Sequence, residues 1–267
     1  MPTNNISDLS LLTTEKLPAK TIGAKILVYD TVTSTNELAA ELARKGDFVE
    51  GQVVFADDQT AGAGRMGRNW FAPKGKSILM SAILTPRLET RHLPAVNAVG
   101  ALAVVDAIEE MTSPGAKVRW PNDVVLDGKK IAGVLAKIEN VNRPGQCFIL
   151  GIGFNVNVSE DEFPPDIPPA TSLLIYNKGE VDRLKAAESL LRSLDRWYET
   201  LKAGNYEAIE ARLRERSSLI GNKVTVKCGG ESVAGTAVGI SLIDGLTLAL
   251  PDGSTRTFHE STATLVS

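Results

Sequence analysis

Apolar residues along this 267-residue chain recur with two spacings, and the change of spacing divides it. Between about residues 23 and 219, short continuous apolar runs alternate with longer helical ones. Lys25–Asp30, Gln52–Ala56, Ser77–Leu84, Val124–Leu126, Ile131–Ile138 and Phe148–Asn157 read as strands, the most continuous of them buried on both faces. Leu93–Met111, rich in Ala and Val, predicts a helix packed on a sheet. Glu180–Arg216 predicts helix with Leu184, Leu190, Leu191, Leu194 and Trp197 on one face, interrupted at Gly204-Asn205. Phe163–Pro169, with four prolines, is a loop. From Asn222 the pattern alternates in strands at 223–228, 232–240, 246–250 and 254–258, separated by Gly229-Gly230, Asp244-Gly245 and Asp252-Gly253. The expectation is an α+β fold. It comprises a polar leader (1–22), a main domain (23–219) with a mixed sheet flanked by helices, and a small C-terminal β-barrel (220–267).

Charge and cysteine usage narrow the classes. Lys and Arg number 29 against 32 Asp and Glu, a net charge of −3, so no basic field predicts binding to specific nucleic acid or an anionic membrane. Cys147 and Cys228 lie far apart in strand-like segments, which predicts reduced core thiols in a cytoplasmic protein. Two histidines give a zinc site almost no support, and no protein-held metal is predicted. No run of about 18 apolar residues is present, and the N-terminus lacks the form of a signal peptide.

The densest chemistry lies in Gln59-Thr-Ala-Gly-Ala-Gly-Arg-Met-Gly-Arg-Asn-Trp70. Glycine lets the backbone approach a ligand, and arginine offers a permanently charged fork suited to carboxylate and phosphate. Gly62, Gly64 and Gly67 also satisfy the dinucleotide fingerprint, which requires a helix directly after the loop. Pro73 and Gly75 break any such helix, and the next segment is β-like. No Val-Ala-Ile-Lys strand follows either, so a kinase glycine loop is excluded. What remains is an arginine-bearing anion loop between two strands.

Three further segments complete the picture. Asp127-Gly128 joins two apolar strands as a hairpin, placing Lys130 at the start of the return strand. Trp120-Pro121-Asn122-Asp123 breaks the chain just before, with Asn122 and Asp123 suited to local turn hydrogen bonds. Gly151 and Gly153 leave one face of the Phe148–Asn157 strand bare, for a ligand or for a tight packing crossing. Asn155 and Asn157 would share a face if that strand continues regularly. Ser34 and Glu37, after Thr33, have capping-box spacing at a helix start.

Taken together, Ser34-Thr-Asn36, the 59–70 loop, Arg119-Trp-Pro-Asn-Asp123, Gly128-Lys-Lys-Ile-Ala-Gly133 and Gly151-Ile-Gly-Phe-Asn-Val-Asn157 resemble the biotin protein ligases, over about residues 25–175. Ala63 stands where that family usually has the first loop arginine. The resemblance implies a class II synthetase-like catalytic fold with a C-terminal SH3-like barrel. It also implies a biotin–[biotin carboxyl-carrier protein] ligase. In such a ligase the biotin carboxylate attacks the α-phosphate of ATP, and a carrier-domain lysine then attacks the biotinyl-5′-adenylate. Arg65 and Lys130 are then the catalytic cations, with Mg²⁺ neutralising the triphosphate. Ser34, Thr35, Asn36, Gln59, Gly62, Ala63, Gly64, Arg65, Lys130 and Gly133 would form the biotin site, with Ser34, Thr35 and Gln59 matching the ureido ring. Ala63 would act through its backbone. Arg65, Arg68, Trp70, Asn122, Lys130 and Asn155 would hold ATP.

Lipoate ligases and octanoyl transferases share the fold, but a plain acyl chain needs an apolar tunnel where this chain has Ser34, Thr35 and Gln59. Some relatives carry an N-terminal winged helix and repress transcription. Here the start lies close to the strand at Lys25, so a monofunctional enzyme is expected. A non-catalytic binding module would tolerate loss of Lys130. A homodimer is left open.

Overall fold

Apolar runs long enough to be buried on both faces become the centre of a seven-stranded mixed sheet in the computed structural model, which describes residues 8–13, 19–141 and 146–266. In chain order the elements are β1 (Ile26–Val32), α1 (Thr35–Lys45), β2 (Val53–Gln59), β3 (Ser77–Leu84), α2 (Pro94–Glu109), β4 (Lys117–Arg119), β5 (Asp123–Leu126), β6 (Lys129–Glu139) and β7 (Cys147–Asn155). Helices α3 (Leu173–Asn177), α4 (Arg183–Lys202) and α5 (Tyr206–Glu215) follow. The chain closes with β8 (Lys223–Cys228), β9 (Glu231–Ser241), β10 (Gly245–Ala249), β11 (Thr255–Phe258) and β12 (Ala263–Leu265).

The large sheet runs β1-β2-β3-β7-β6-β5-β4, parallel only between β1 and β2. Its two faces bury separate clusters. Ala39, Ala40 and Ala43 of α1 pack on Val54, Ile83 and Ile149 on one side. On the other, α2 and α4 share a larger core with Phe55, Met80, Leu150 and Phe154. Strands β8 to β12 form a separate antiparallel sheet in the order β11-β10-β9-β8-β12. Asp127 (φ 49°) and Gly128 (φ 75°) take the left-handed pair that a two-residue hairpin turn between β5 and β6 requires. Asn205 caps α5 by accepting from the Ala208 amide, which ends one helix and starts the next.

Several expectations are corrected. Ser34 is the N-cap residue of α1, but its side chain makes no capping bond. Strand β7 stops at Asn155, so Asn157 leaves the pleat. Its amide instead ties the Val181 backbone in both directions, at 2.8 and 2.9 Å. The segment expected to be a polar leader docks on the main domain where it is described: Leu9, Leu12 and Ile22 are buried in the main core. Residues 1–7 and 14–18 lie outside the described residues. Helix α3 and strand β12 were not predicted.

Asp195 of α4 fixes the approach to β1. Its carboxylate accepts from the backbone amides of Lys20, Thr21 and Ile22 at 2.8–2.9 Å. Gly51 sits beneath this turn, where a Cβ would lie 2.0 Å from the Thr21 carbonyl oxygen. Removing a carboxylate that satisfies several amides strands those donors. Asp195→Ala should therefore cost about 3 kcal/mol in urea unfolding, whereas alanine at exposed Lys185 on the same helix should be near neutral.

Candidate active site

A cavity of about 530 Å³ opens among the β6–β7 backbone, the 59–70 loop, the 120–123 break and the C-terminal residues Thr264, Leu265 and Val266. It gathers every residue assigned above to the catalytic, biotin or ATP sets except Gly62, which is buried behind the wall. A Cβ on Gly62 would lie 2.8 Å from the Trp70 carbonyl oxygen, so its glycine serves the close return of the loop.

One end of the cavity is uncharged. Gln59 Oε1 accepts from the Thr35 amide at 2.7 Å and from the Thr35 hydroxyl at 3.1 Å. Ser81 Oγ lies 2.8 Å from Thr35 Oγ1 and 2.6 Å from Asn36 Oδ1. With its carbonyl engaged at the start of α1, Gln59 keeps its amide N–H groups for another acceptor. Ser34, buried and not used as a cap, likewise keeps its hydroxyl.

The bare face of β7 is taken by protein side chains, which decides between the two readings of its glycines. A Cβ at Gly151 would meet Asn36 Oδ1 at 2.3 Å, and one at Gly153 would meet Trp70 Cε2 at 2.4 Å. Gly133 stands opposite Gly153 in the β6–β7 ladder, and a Cβ there would lie 3.0 Å from Trp70. The indole rests on this glycine pair, its Nε1–H buried without an acceptor.

The other end is cationic. Arg65, Arg68, Arg119 and Lys130 line it with a single carboxylate, Asp123. Lys130 Nζ lies 2.6 Å from Asp123 Oδ1 and 5.4 Å from the centre of a Trp70 ring. Arg119 donates to Asp123 Oδ2 at 3.1 Å. Arg65 donates to Asn122 Oδ1 at 3.2 Å and to the main-chain oxygen of Glu260. Burial pulls the Arg65 guanidinium below its usual pKa, and the charges of Glu260 and Asp123 oppose that shift. Asn122 is itself fixed on β6, exchanging hydrogen bonds with the Val134 backbone at 2.7 and 2.9 Å. The Asn155 amide donates to the Thr171 carbonyl at 3.1 Å and accepts from Ser77 at 3.4 Å, so part of its capacity is structural.

Loop residues 62–70 fold back on themselves. Gly64 N donates to Arg68 O at 2.7 Å, Trp70 N donates to Gly62 O at 2.8 Å, and Ala63 bridges Asn69. Met66 (φ 57°) and Gly67 (φ 74°) make the bend. Ala63 and Arg68 lie exposed at the rim. Lys129, by contrast, reaches only exposed Glu160 at 3.9 Å.

Sequence reasoning missed Ser81, Ser218, Arg119 and Glu260, and read Asp123 only as a turn residue. Ser81 had a signal, being a hydroxyl inside a wholly buried strand. Ser218, with a buried Oγ lacking a partner, and Glu260 had none. Among the described residues no group of three or more His, Cys, Asp or Glu could hold a metal ion, and no helix is long and apolar enough to cross a membrane.

Known proteins resemble this chain in sequence and in fold. A model of the biotin/lipoate A/B protein ligase family matches residues 28–155. The chain is 35% identical over 217 residues to the biotin–[acetyl-CoA-carboxylase] ligase of Mycobacterium tuberculosis, covering 78% of each. It is 31% identical over 225 residues to the bifunctional ligase/repressor BirA of Bacillus subtilis, covering 84% of this chain and 69% of that one. Its fold matches the biotin protein ligase of Aquifex aeolicus in complex with biotin and ATP, with a TM-score of 0.79 and 26% identity over 91% of this chain and 99% of that one.

The glycine–indole contact can be tested directly. Gly153→Ala should cost about 1–3 kcal/mol by urea unfolding, the scale of an overpacked interior. That cost should largely disappear in a Trp70→Ala background, where the obstructing ring is gone. An equal cost in both backgrounds would show that Trp70 does not occupy this seat.

Proposed function

The chain belongs to the biotin protein ligases of the biotin/lipoate protein ligase family, and from that premise we propose how its cavity carries out ATP-dependent biotinylation. The observation that carries the reading is the convergence of Arg65 and Lys130, from a glycine loop and a hairpin strand, on one cavity whose far end is uncharged.

The first step joins two anions. Biotin's carboxylate oxygen attacks the α-phosphorus of ATP, the bond to the β-phosphate oxygen breaks, and pyrophosphate leaves. Preorganised cations at the developing charge are the main means of lowering that barrier. Lys130, held by Asp123 and by the face of Trp70, approaches from the sheet, and Arg65 from the loop. In the second step the amine of a carrier-domain lysine attacks the anhydride carbonyl, the amide forms and AMP leaves. Mg²⁺ would arrive on the triphosphate and neutralise it, which suits a cavity with one carboxylate already engaged by two cations.

At the uncharged end, Ser34, Thr35 and Gln59 offer donors and acceptors to the ureido ring. A lipoyl or octanoyl chain would leave buried Ser34 and Thr35 and half-buried Gln59 unmatched, a strong basis for rejection. Trp70 and Asn122 are assigned to the nucleotide, with Asn155 behind them. Gly133 and Gly64 contribute close backbone approach, and Arg68 meets the phosphates from the rim. The acceptor is a biotin carboxyl-carrier domain, and the reduced thiols fit a cytoplasmic enzyme.

Mixing the protein with ATP, Mg²⁺, labelled biotin and a biotin carrier domain should yield covalent label on the carrier. Lys130→Ala should slow adenylate formation on the order of 10²-fold or more, while Lys129→Ala should be nearly neutral. Transfer from lipoate or octanoyl donors but not biotin, or small equal effects of the two lysines, would overturn the assignment.

A further inference from the structure

We propose that Asn97 on α2 and Glu260 in the turn before β12 are positioning residues that hold Arg65 at the cavity, so that the C-terminal sheet sets the geometry of the anion loop. This rests on the reading of the site given above.

Arg65 needs such support. Its loop holds three glycines and bends through left-handed Met66 and Gly67, and none of the loop's internal hydrogen bonds engages the guanidinium. Instead the guanidinium spans two external acceptors, Asn122 Oδ1 and the Glu260 main-chain oxygen. Both lead back to β6. Asn122 is locked to Val134. The ladder between β5 and β6 ends at the pair Asp123–Gly133, so beyond it the edge of β6 away from β7 has no strand neighbour among the described residues. There the Ala136 amide donates to Asn97 Oδ1 at 2.8 Å. Asn97 Nδ2 in turn donates to Glu260 Oε1 at 3.2 Å. The bonds close a ring from Arg65 through Asn122, β6, Asn97 and Glu260 back to Arg65.

Two further facts fit this role. Asn97 is the first polar side chain of α2 and the only one before Asp106, an unfavourable helix residue amid Ala and Val. The Glu260 carboxyl is largely shielded, and burial raises its pKa, with Asn97 and Arg65 opposing the shift. The Glu260 side chain therefore anchors the turn, and the anchored turn presents its carbonyl to Arg65. A second strut runs alongside, as the Thr264 hydroxyl lies 3.2 Å from Met66 Sδ.

The test measures release of labelled biotinyl-5′-adenylate formed by the intact chain from biotin, ATP and Mg²⁺, together with label on lysines of a bystander protein. Glu260→Ala and Asn97→Ala should each speed release about tenfold, the scale of one lost hydrogen bond to a charged group, and increase bystander labelling. Glu260→Gln should stay within about twofold of the parent, because its Oε1 still accepts from Asn97. In an Arg65→Ala background, Glu260→Ala should add nothing, since the relay then has no endpoint. Parental release rates in both alanine variants would overturn the inference, as would a Glu260→Gln variant as leaky as Glu260→Ala, or full additivity with Arg65→Ala. A parent chain that forms no intermediate would overturn the site reading together with this inference. Intermediate formation with indifferent variants would overturn this inference alone.

Discussion

A strand buried on both faces can carry a polar or empty position only where a neighbour fills it. Every residue of β3 is buried, and so is every residue of β7 except Gly153. The exceptions to apolarity in these strands therefore locate the site. Ser81 of β3 pairs in register with Gly151 of β7, and Asn36 from α1 sits over that pair, bonded to the serine. One step along, Gly153 pairs with Gly133 of β6, and Trp70 sits there. A helix N-terminus and a loop are thus both seated on gaps in the same sheet. The loop brings Arg65 and the helix brings Thr35, so the cationic and neutral ends of the cavity are spaced by the sheet's own register.

Much of this was legible in the residues because apolar spacing reports local burial. Ser77–Leu84 has the limits its apolar run predicts, the Asp127-Gly128 turn sits where two apolar runs meet, and the break at Gly204-Asn205 divides two helices. The short elements escaped, since α3 and β12 span too few residues to show a period. Spacing also misled where two structures share it. Ser34 and Glu37 stand apart as in a capping box, yet the hydroxyl is buried by the cavity without capping. Asn157 continues the alternation of β7, but the strand has already ended.

What could not be read was long-range partnership. Asp123 looked like a turn residue because its two cationic partners are brought together only by the β4–β5–β6 hairpins. Asn97 and Glu260 are 163 residues apart in sequence. The N-terminal segment is similar: Asp8 engages Arg183, itself paired with Asp57, and Leu9 is buried in the main core. A polar composition concealed two anchoring leucines there. Family motifs fill part of this gap for residues that touch substrate, but they say little about residues that hold those residues still.

The charge around the cavity has a consequence for how substrate arrives. The chain as a whole is acidic, at −3, while its cavity carries four cationic side chains and one carboxylate. A triphosphate approaching from solvent thus meets a field that changes sign. The far field is weakly repulsive and screened beyond about 8 Å at physiological ionic strength. The near field is attractive and lies within a partly enclosed wall, where screening is much weaker. Added salt therefore removes the repulsion before it erodes the attraction. Capture becomes a short-range event, governed by collision with the mouth of the cavity more than by steering from a distance.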